Sequence, residues 1–373
     1  MIIKVDQTGT IACFQEILAQ VLAHEQVKGL LILAGDANNF TPQSMDEILN
    51  NIPVPLVGGI FPEIIFGRER LARGTIIAGL PIEPNVQIIP KLSDMTVEYD
   101  DIIEEKISEL GQAKTMFVLV DGFSKRVSAL IDSLFNIFGL EINYIGGGAG
   151  SLSFARKPCL LTNTGLIQDS ALLALLDMES GIGVGHGWNT ISGPFKVTEA
   201  DGHMIKTLDW RPAFEVYQEV VEAVSGKIFS DINFFEIAKS YPFGINKLGA
   251  EKIVRDPIML GENGALICVS EVPEECFVDI LASNTLSLVS ATRNALALSR
   301  QAFKGQSTNP TTLFLDCISR ALVLEEEFNQ ELNVVFAENT PLIGALTLGE
   351  IANSGQDYLE FYNKTAVIGV LEV

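Results

Sequence analysis

Chemistry in this chain would have to come from a small number of scattered side chains. Cys317-Ile318-Ser319-Arg320 follows an apolar run, Thr312 to Leu315, and one acid, Asp316. Ends of strands are where α/β folds place their ligand groups. A guanidinium at Arg320 could grip a carboxylate through two parallel hydrogen bonds, or simply pair with Asp316. Arg255, in Val254-Arg255-Asp256-Pro257, offers the same choice between a ligand and Asp256. As a nucleophile, Cys317 would need a base beside it and a depressed pKa, and a neighbouring carboxylate opposes the thiolate. Glu350, in Leu348-Gly349-Glu350-Ile351, could receive an ammonium group or lie on the surface. With an arginine on a neighbouring strand it would complete a site for a zwitterion.

Gly185-His186-Gly187-Trp188 sets a titratable ring and an indole between glycines at a strand end. His186 could contact a ligand, bind haem iron or pack a turn. The chain has three histidines, and none has a Cys or carboxylate partner at zinc-ligand spacing, so no metal is expected. Gly146-Gly147-Gly148-Ala149-Gly150 follows a strand but lacks the Gly-Lys-Ser/Thr ending of a phosphate-binding loop. It reads instead as backbone passing close to a ligand or a packed element. Ser151 and Phe154 would then supply a hydroxyl and an aromatic wall. The acidic run Glu325-Glu326-Glu327 reads as a solvated helix face, and Asp209 to Ala213 as a turn and a helix start.

Short β-rich runs bounded by Gly, Pro or Asp must position these groups. Leu30 to Leu33, Val54 to Gly59, Thr75 to Leu80, Val86 to Pro90, Thr115 to Val120 and Ile142 to Ile145 read as strands of one largely buried sheet. Helical spacing over Ile11 to Glu25, Met45 to Asn50, Asp101 to Leu110 and Ser124 to Phe138 alternates with them, which argues for α/β layering. Further strands are expected at 157–162, 167–178, 181–187, 265–272, 277–282, 312–317, 342–348 and 365–373. Helices are expected from Pro212 to Val224, Leu286 to Phe303 and Arg320 to Leu332. No heptad array or short solenoid repeat is visible.

The chain has 373 residues, beyond the size at which one core keeps growing, so two domains or packed halves are expected, divided at residues 224/225. A net charge of −22 repels phosphate backbones and anionic lipids, which argues against nucleic-acid and membrane partners. Five scattered cysteines without a CxxC pair fit a reducing compartment, and the absence of a signal sequence or a spanning apolar run points to a soluble, cytoplasmic protein.

Taken in order, the glycine cluster at 146–150, Gly185-His186-Gly187-Trp188, Gly193-Pro194 with Val197-Thr198, Asp209 to Ala213, Cys317 to Arg320 and Gly349-Glu350-Ile351 resemble the FIST family over roughly residues 25 to 370. The resemblance implies an α/β, layered α+β, fold of two halves, residues 1–224 and 225–373, with mixed β-sheets flanked by helices and a cleft between them. It also implies a sensory protein, not an enzyme, that binds a small metabolite such as an amino acid or small carboxylate and reports to a separate signalling protein. On that reading Gly147, Gly148, Ser151, Phe154, His186, Trp188, Arg255, Cys317, Ser319, Arg320, Gly349 and Glu350 line the ligand site, and no cofactor is needed. The alternatives are a haem-based nitric oxide sensor using His186, a hydrolase or transferase using Cys317 with His186 as base, and a ligand-free interaction scaffold. In related sequences an aromatic often precedes the Thr-x-Gly-Glu segment, where this chain has Ala345 and Leu346, so the pocket is shaped differently here.

Overall fold

The computed structural model describes residues 1–230, 233–247, 252–353 and 358–372. The chain opens with β1 (Ile2–Asp6), α1 (Ile11–Leu22), β2 (Gly29–Gly35), α2 (Pro42–Asn50), β3 (Leu56–Phe61), a hairpin of β4 (Glu63–Phe66) and β5 (Glu69–Leu71), and β6 (Thr75–Leu80). The order then recurs as β7 (Asn85–Pro90), α3 (Tyr99–Lys106), β8 (Thr115–Asp121), α4 (Val127–Phe138), β9 (Asn143–Ala149), a hairpin of β10 (Leu160–Thr162) and β11 (Gly165–Ile167), and β12 (Ser170–Leu176).

A third unit starts at β13 (Ser180–Gly185) and is interrupted by an inserted lobe. That lobe comprises β14 (Asn189–Asp201), β15 (Met204–Leu208), β16 (Arg211–Pro212), α5 (Ala213–Ser225), α6 (Phe234–Ala238), β17 (Phe243–Ile245), β18 (Ile253–Arg255), β19 (Pro257–Leu260), β20 (Leu266–Cys268) and β21 (Phe277–Ala282). The unit then resumes with α7 (Thr285–Ala302), β22 (Thr311–Cys317), α8 (Ile318–Leu324), α9 (Phe328–Val335), β23 (Leu342–Thr347), a hairpin of β24 (Glu350–Ala352) and β25 (Glu360–Tyr362), and β26 (Ala366–Leu371).

Each unit builds one six-stranded sheet of the same design, in the orders β1-β6-β2-β3, β7-β12-β8-β9 and β13-β26-β22-β23, with the last two strands of each parallel. The outer two strands of every sheet are borrowed. Hairpin β4–β5 completes the third sheet, β10–β11 the first and β24–β25 the second, so the exchange closes a ring. Strands β3, β9 and β23 touch one another at its centre. The strands expected to form one sheet therefore belong to two. Period-2 alternation divides the side chains between layers. On β8, Phe117 and Leu119 enter the central core, while Met116, Val118 and Val120 pack under α3 and α4.

The parallel pairs share a steric rule. Gly58, Gly146 and Gly344 stand opposite Ile32, Val118 and Phe314, and a Cβ on any of them would lie 2.6, 1.8 and 1.8 Å from the facing carbonyl oxygen. Only glycine fits, so the glycine cluster at 146–149 is strand and not loop. The lobe is an antiparallel sheet whose edges, β18 and β19, are separated in sequence by Asp256 alone, which curls it into a half-barrel. Its aromatic core holds Tyr217, Phe229, Phe234 and Phe243. The division expected at 224/225 falls inside this lobe, at the end of α5. The single helix expected from Arg320 to Leu332 is two, broken at Glu325 (φ 50°). Val373, the last residue of the expected final strand, lies outside the described residues.

Gly146→Ala should cost about 3 kcal/mol or more, because the backbone of Val118 on β8 blocks the new methyl. Gly111→Ala, where nothing lies within 4 Å but φ is positive, should cost about 1 kcal/mol. Urea unfolding of both variants measures the difference.

Candidate functional site

The lobe joins the body at two adjacent crossings, Gly187-Trp188 on the way out and Ser283-Asn284 on the way back. Ser283 Oγ donates to the Gly187 carbonyl at 2.6 Å, and Asn284 caps α7 by accepting from the Ser287 N–H at 2.9 Å. Gly187 has φ 76°, and a Cβ there would lie 2.6 Å from Ser287 O. The Gly-His-Gly-Trp signature is thus the joint of the molecule. Beside it, the carboxyl ends of β13 and β22 and the start of β26 bring a set of buried polar side chains together.

Arg320, wholly buried on α8, is the centre of the first group. Its Nε lies 2.8 Å from Asp316 Oδ1, and its terminal nitrogens donate to the carbonyls of His186 (2.5 Å) and Leu288 (3.3 Å), to Thr292 Oγ1 (3.0 Å) and to Glu331. Burial pushes the Asp316 carboxyl well above the usual carboxylate range, against the pull of Arg320, and Glu331 and Glu350 raise it further. Asp316 Oδ2 and Glu331 Oε2 are buried without a hydrogen-bond partner. The triad sets one guanidinium between two buried carboxyl groups.

A second group lies against the lobe. Lys364 Nζ sits 3.1 Å from Asp256 Oδ2, donates to the Lys239 carbonyl at 2.7 Å and lies 5.0 Å from the centre of the Trp188 ring. Ser319 Oγ donates to the same Asp256 oxygen at 2.8 Å, and Trp188 Nε1 to the Lys364 carbonyl at 3.2 Å. Asp256 Oδ1, Ser270 Oγ and both amide atoms of Asn363 are buried without a hydrogen-bond partner. Buried polar atoms left so are expensive, and their concentration at one seam points to something that satisfies them.

Glu350 forms a third group on the inner side of β23. Its oxygens accept from Thr347 Oγ1 at 2.6 Å and from the Thr365 N–H at 3.3 Å. Burial pushes its carboxyl up to about 8, opposed by those bonds and by one from Cys317.

These contacts revise several sequence expectations. Arg320 and Arg255 do not face an open cleft. The donors of Arg320 go to the body, and Arg255 donates to the carbonyls of Glu271 (2.8 Å), Val254 (3.0 Å) and Phe361 (3.1 Å), stapling the lobe to β25, while burial lowers its pKa to about 10. Glu350 is enclosed by the protein's own donors. Gly147 and Gly148 offer no free backbone donor toward a ligand, since the Gly148 N–H binds the Gly349 carbonyl at 2.8 Å and the two segments press together. Ser151 and Phe154 lie elsewhere. Ser151 Oγ donates to Asp36 at 2.6 Å, and the exposed Phe154 ring stands 5.9 Å from that of Phe123.

Cys317 is buried, and burial together with the Glu350 charge drives its thiol up, away from the nucleophilic form. His186 Nδ1 accepts the Trp188 N–H at 2.8 Å, and burial, then the charge of Arg320, lowers its pKa to about 4. Gly185 and Gly187, which flank this ring, pack directly on the backbone of α7. Among the described residues no group of three or more His, Cys, Asp or Glu is placed to hold a metal. Sequence reasoning missed Asp256, Asn363, Lys364, Thr292 and Glu331. A polar triplet, Asn363-Lys364-Thr365, just before an apolar strand was a readable signal for two of them; Glu331 looks like any acid on a polar helix.

Removing one member of the triad leaves the others buried and unbalanced. Glu331→Ala should therefore cost about 3–5 kcal/mol, read as a shift in the urea midpoint. The pH dependence has two arms. Below about 6.5 the unfolded chain protonates His186 while the folded chain refuses until about 4, so stability falls as pH drops through that window. From about 4.5 upward the unfolded chain releases the Glu350 proton, which the folded chain keeps to about 8, so stability falls as pH rises between those values. Glu350→Gln should flatten the second arm alone in unfolding free energies measured across it.

Comparison with known families follows the same course as the geometry. The FIST N domain matches residues 29–211 and the FIST C domain residues 213–353. No curated protein matches the chain. FIST domains are associated with signal transduction, and among the described residues no helix is long and apolar enough to cross a membrane. With the two matches running almost end to end, the chain belongs to the FIST family.

Proposed function

We propose that the protein is a sensor that takes a small zwitterionic metabolite, an amino acid in the simplest case, at the seam between the lobe and the body, and reports to a separate partner protein. The observation that carries this reading is a comparison inside the chain. Equivalent registers place Asp316 where the other two units have Ala34 and Val120, Glu350 where they have Ile64 and Leu160, and Thr347 where they have Phe61 and Ala149. All nine positions are buried. The scaffold builds these three positions twice with apolar side chains, so its stability does not require ionisable groups there. Burying charge is costly, and at these positions that cost is met only in the third unit, next to the joint of the lobe.

The chemistry of the seam suits a zwitterion. Asp256 and Lys364 already form an ion pair, and a ligand of the same two charges can enter it, its ammonium on Asp256 Oδ1 and Asn363 Oδ1, its carboxylate on Lys364 and Asn363 Nδ2. Trp188 gives an apolar wall. Asp256 and Ser270 come from the lobe and Asn363, Lys364 and Ser319 from the body, so such a ligand favours one lobe position over others. Its differential affinity sets the size of the response.

Thermal unfolding against a panel of the common amino acids and small carboxylates tests the reading. At about 100 times its dissociation constant a ligand specific to the folded state adds about 2.7 kcal/mol, a visible rise in the midpoint. Asp256→Asn and Lys364→Met should abolish the rise. A panel without effect, or a rise that survives both substitutions, would remove the seam from consideration.

A further inference from the structure

Two depressions in the surface meet beside the seam. One, of about 630 Å³, lies between α6 and α8 and is lined by Ile228, Glu236, Ile237 and Val323. The other, of about 750 Å³, lies between hairpin β4–β5 and the elbow joining α8 to α9, where Arg68, Arg70, Leu322 and Asn329 face it. Lys239 and Glu325 line both. Either volume alone would suit a metabolite, whose pockets run to about 300–1,000 Å³. Joined, they make a trough that crosses from the lobe to the body.

We propose that this trough is the surface through which the protein reports, and that its occupant is an extended peptide segment of a partner protein carrying both acidic and basic side chains. Charge on the walls argues for that occupant. Arg68 and Arg70 stand at one end and Glu236 at the other, with Lys239 and Glu325 between them. Lys239 lies 3.0 Å from Glu236 and 3.9 Å from Glu325, and Arg70 pairs with Glu63 at 2.7 Å, so an incoming peptide exchanges its own charges for these partners. Ile228, 76% exposed, and the floor side chains Leu322 and Val323 supply apolar contact. At the middle of the trough, Glu325 is held in the left-handed region, a conformation that costs energy in a non-glycine residue and tends to mark functional sites.

One hydrogen bond links the trough to the seam. Lys239 points its ammonium into the trough and its carbonyl inward, where it accepts from Lys364 Nζ at 2.7 Å. A ligand that draws Lys364 toward itself releases that carbonyl and with it the end of α6, one wall of the trough. This coupling rests on the reading of the seam as the ligand site; the docking of a peptide does not.

The test is selection of phage-displayed random dodecapeptides on the full-length protein, followed by affinity measurement for the enriched peptides. Enriched sequences should carry both signs of charge, and Lys239→Glu and Arg70→Glu should weaken them about tenfold or more while Lys239→Arg does not. Thermal unfolding confirms that the variants are folded. No enrichment, or peptides that bind all the variants equally, would overturn the docking surface. Lys364→Met reads the coupling separately: a changed peptide affinity supports it, and an unchanged one overturns the coupling while leaving docking intact.

Discussion

Exchange of hairpins between sheets is the constraint on which the molecule depends. No unit can complete its own sheet, because the strands that cover β3, β9 and β23 come from a different unit in each case. Most of the central core lies between sheets rather than within one, so its apolar burial is realised only when the ring closes. The family boundary near residue 212 therefore does not separate two independent bodies. Residues of the FIST N match supply strands to the third sheet, and β24, within the FIST C match, joins the second.

A ring of near-equivalent units explains where function can be written. At the positions equivalent to Asp316, Thr347 and Glu350, two units carry only alanine, valine, leucine, isoleucine and phenylalanine. The third departs from this and receives an inserted lobe at the same place. Insertion between β13 and α7 costs the scaffold little, since the corresponding connections in the other units are surface loops. It sets a separate sheet over the strand ends and creates a seam that neither part has alone. The buried ion pairs bridge that seam or brace its joint, with the Arg320 guanidinium holding the His186 carbonyl one residue before the crossing.

Charge pairing is the second theme of the interior. Arg320 is paired with Asp316 and Glu331, Lys364 with Asp256, and burial pushes the Glu350 carboxyl up to about 8. His186 stays neutral for the matching reason, burial beside a permanent cation. In a protein of net charge −22, the buried cations are held by carboxyl groups, as Arg320 and Lys364 are, or by backbone carbonyls, as Arg255 is.

Much of the local structure was legible in the sequence. β-branched runs bounded by glycine and proline marked most strands, 3.6-residue spacing marked α1, α5 and α7, and Gly146 to Gly150 declared a close backbone approach, because these signals depend only on neighbours along the chain. The ordered signatures also identified the family. Which sheet each strand joins could not be read, since the threefold plan repeats topology and not residues: its equivalent positions hold Asp316, Ala34 and Val120. Nor could the roles of Arg320, Arg255 and Glu350, whose types permit a ligand or an internal partner equally. Only the tertiary structure decides that choice, by setting Asp316, Glu331, Thr292 and three backbone carbonyls within reach of those charges and leaving Asp256 and Asn363, at the seam, with bonds still to make.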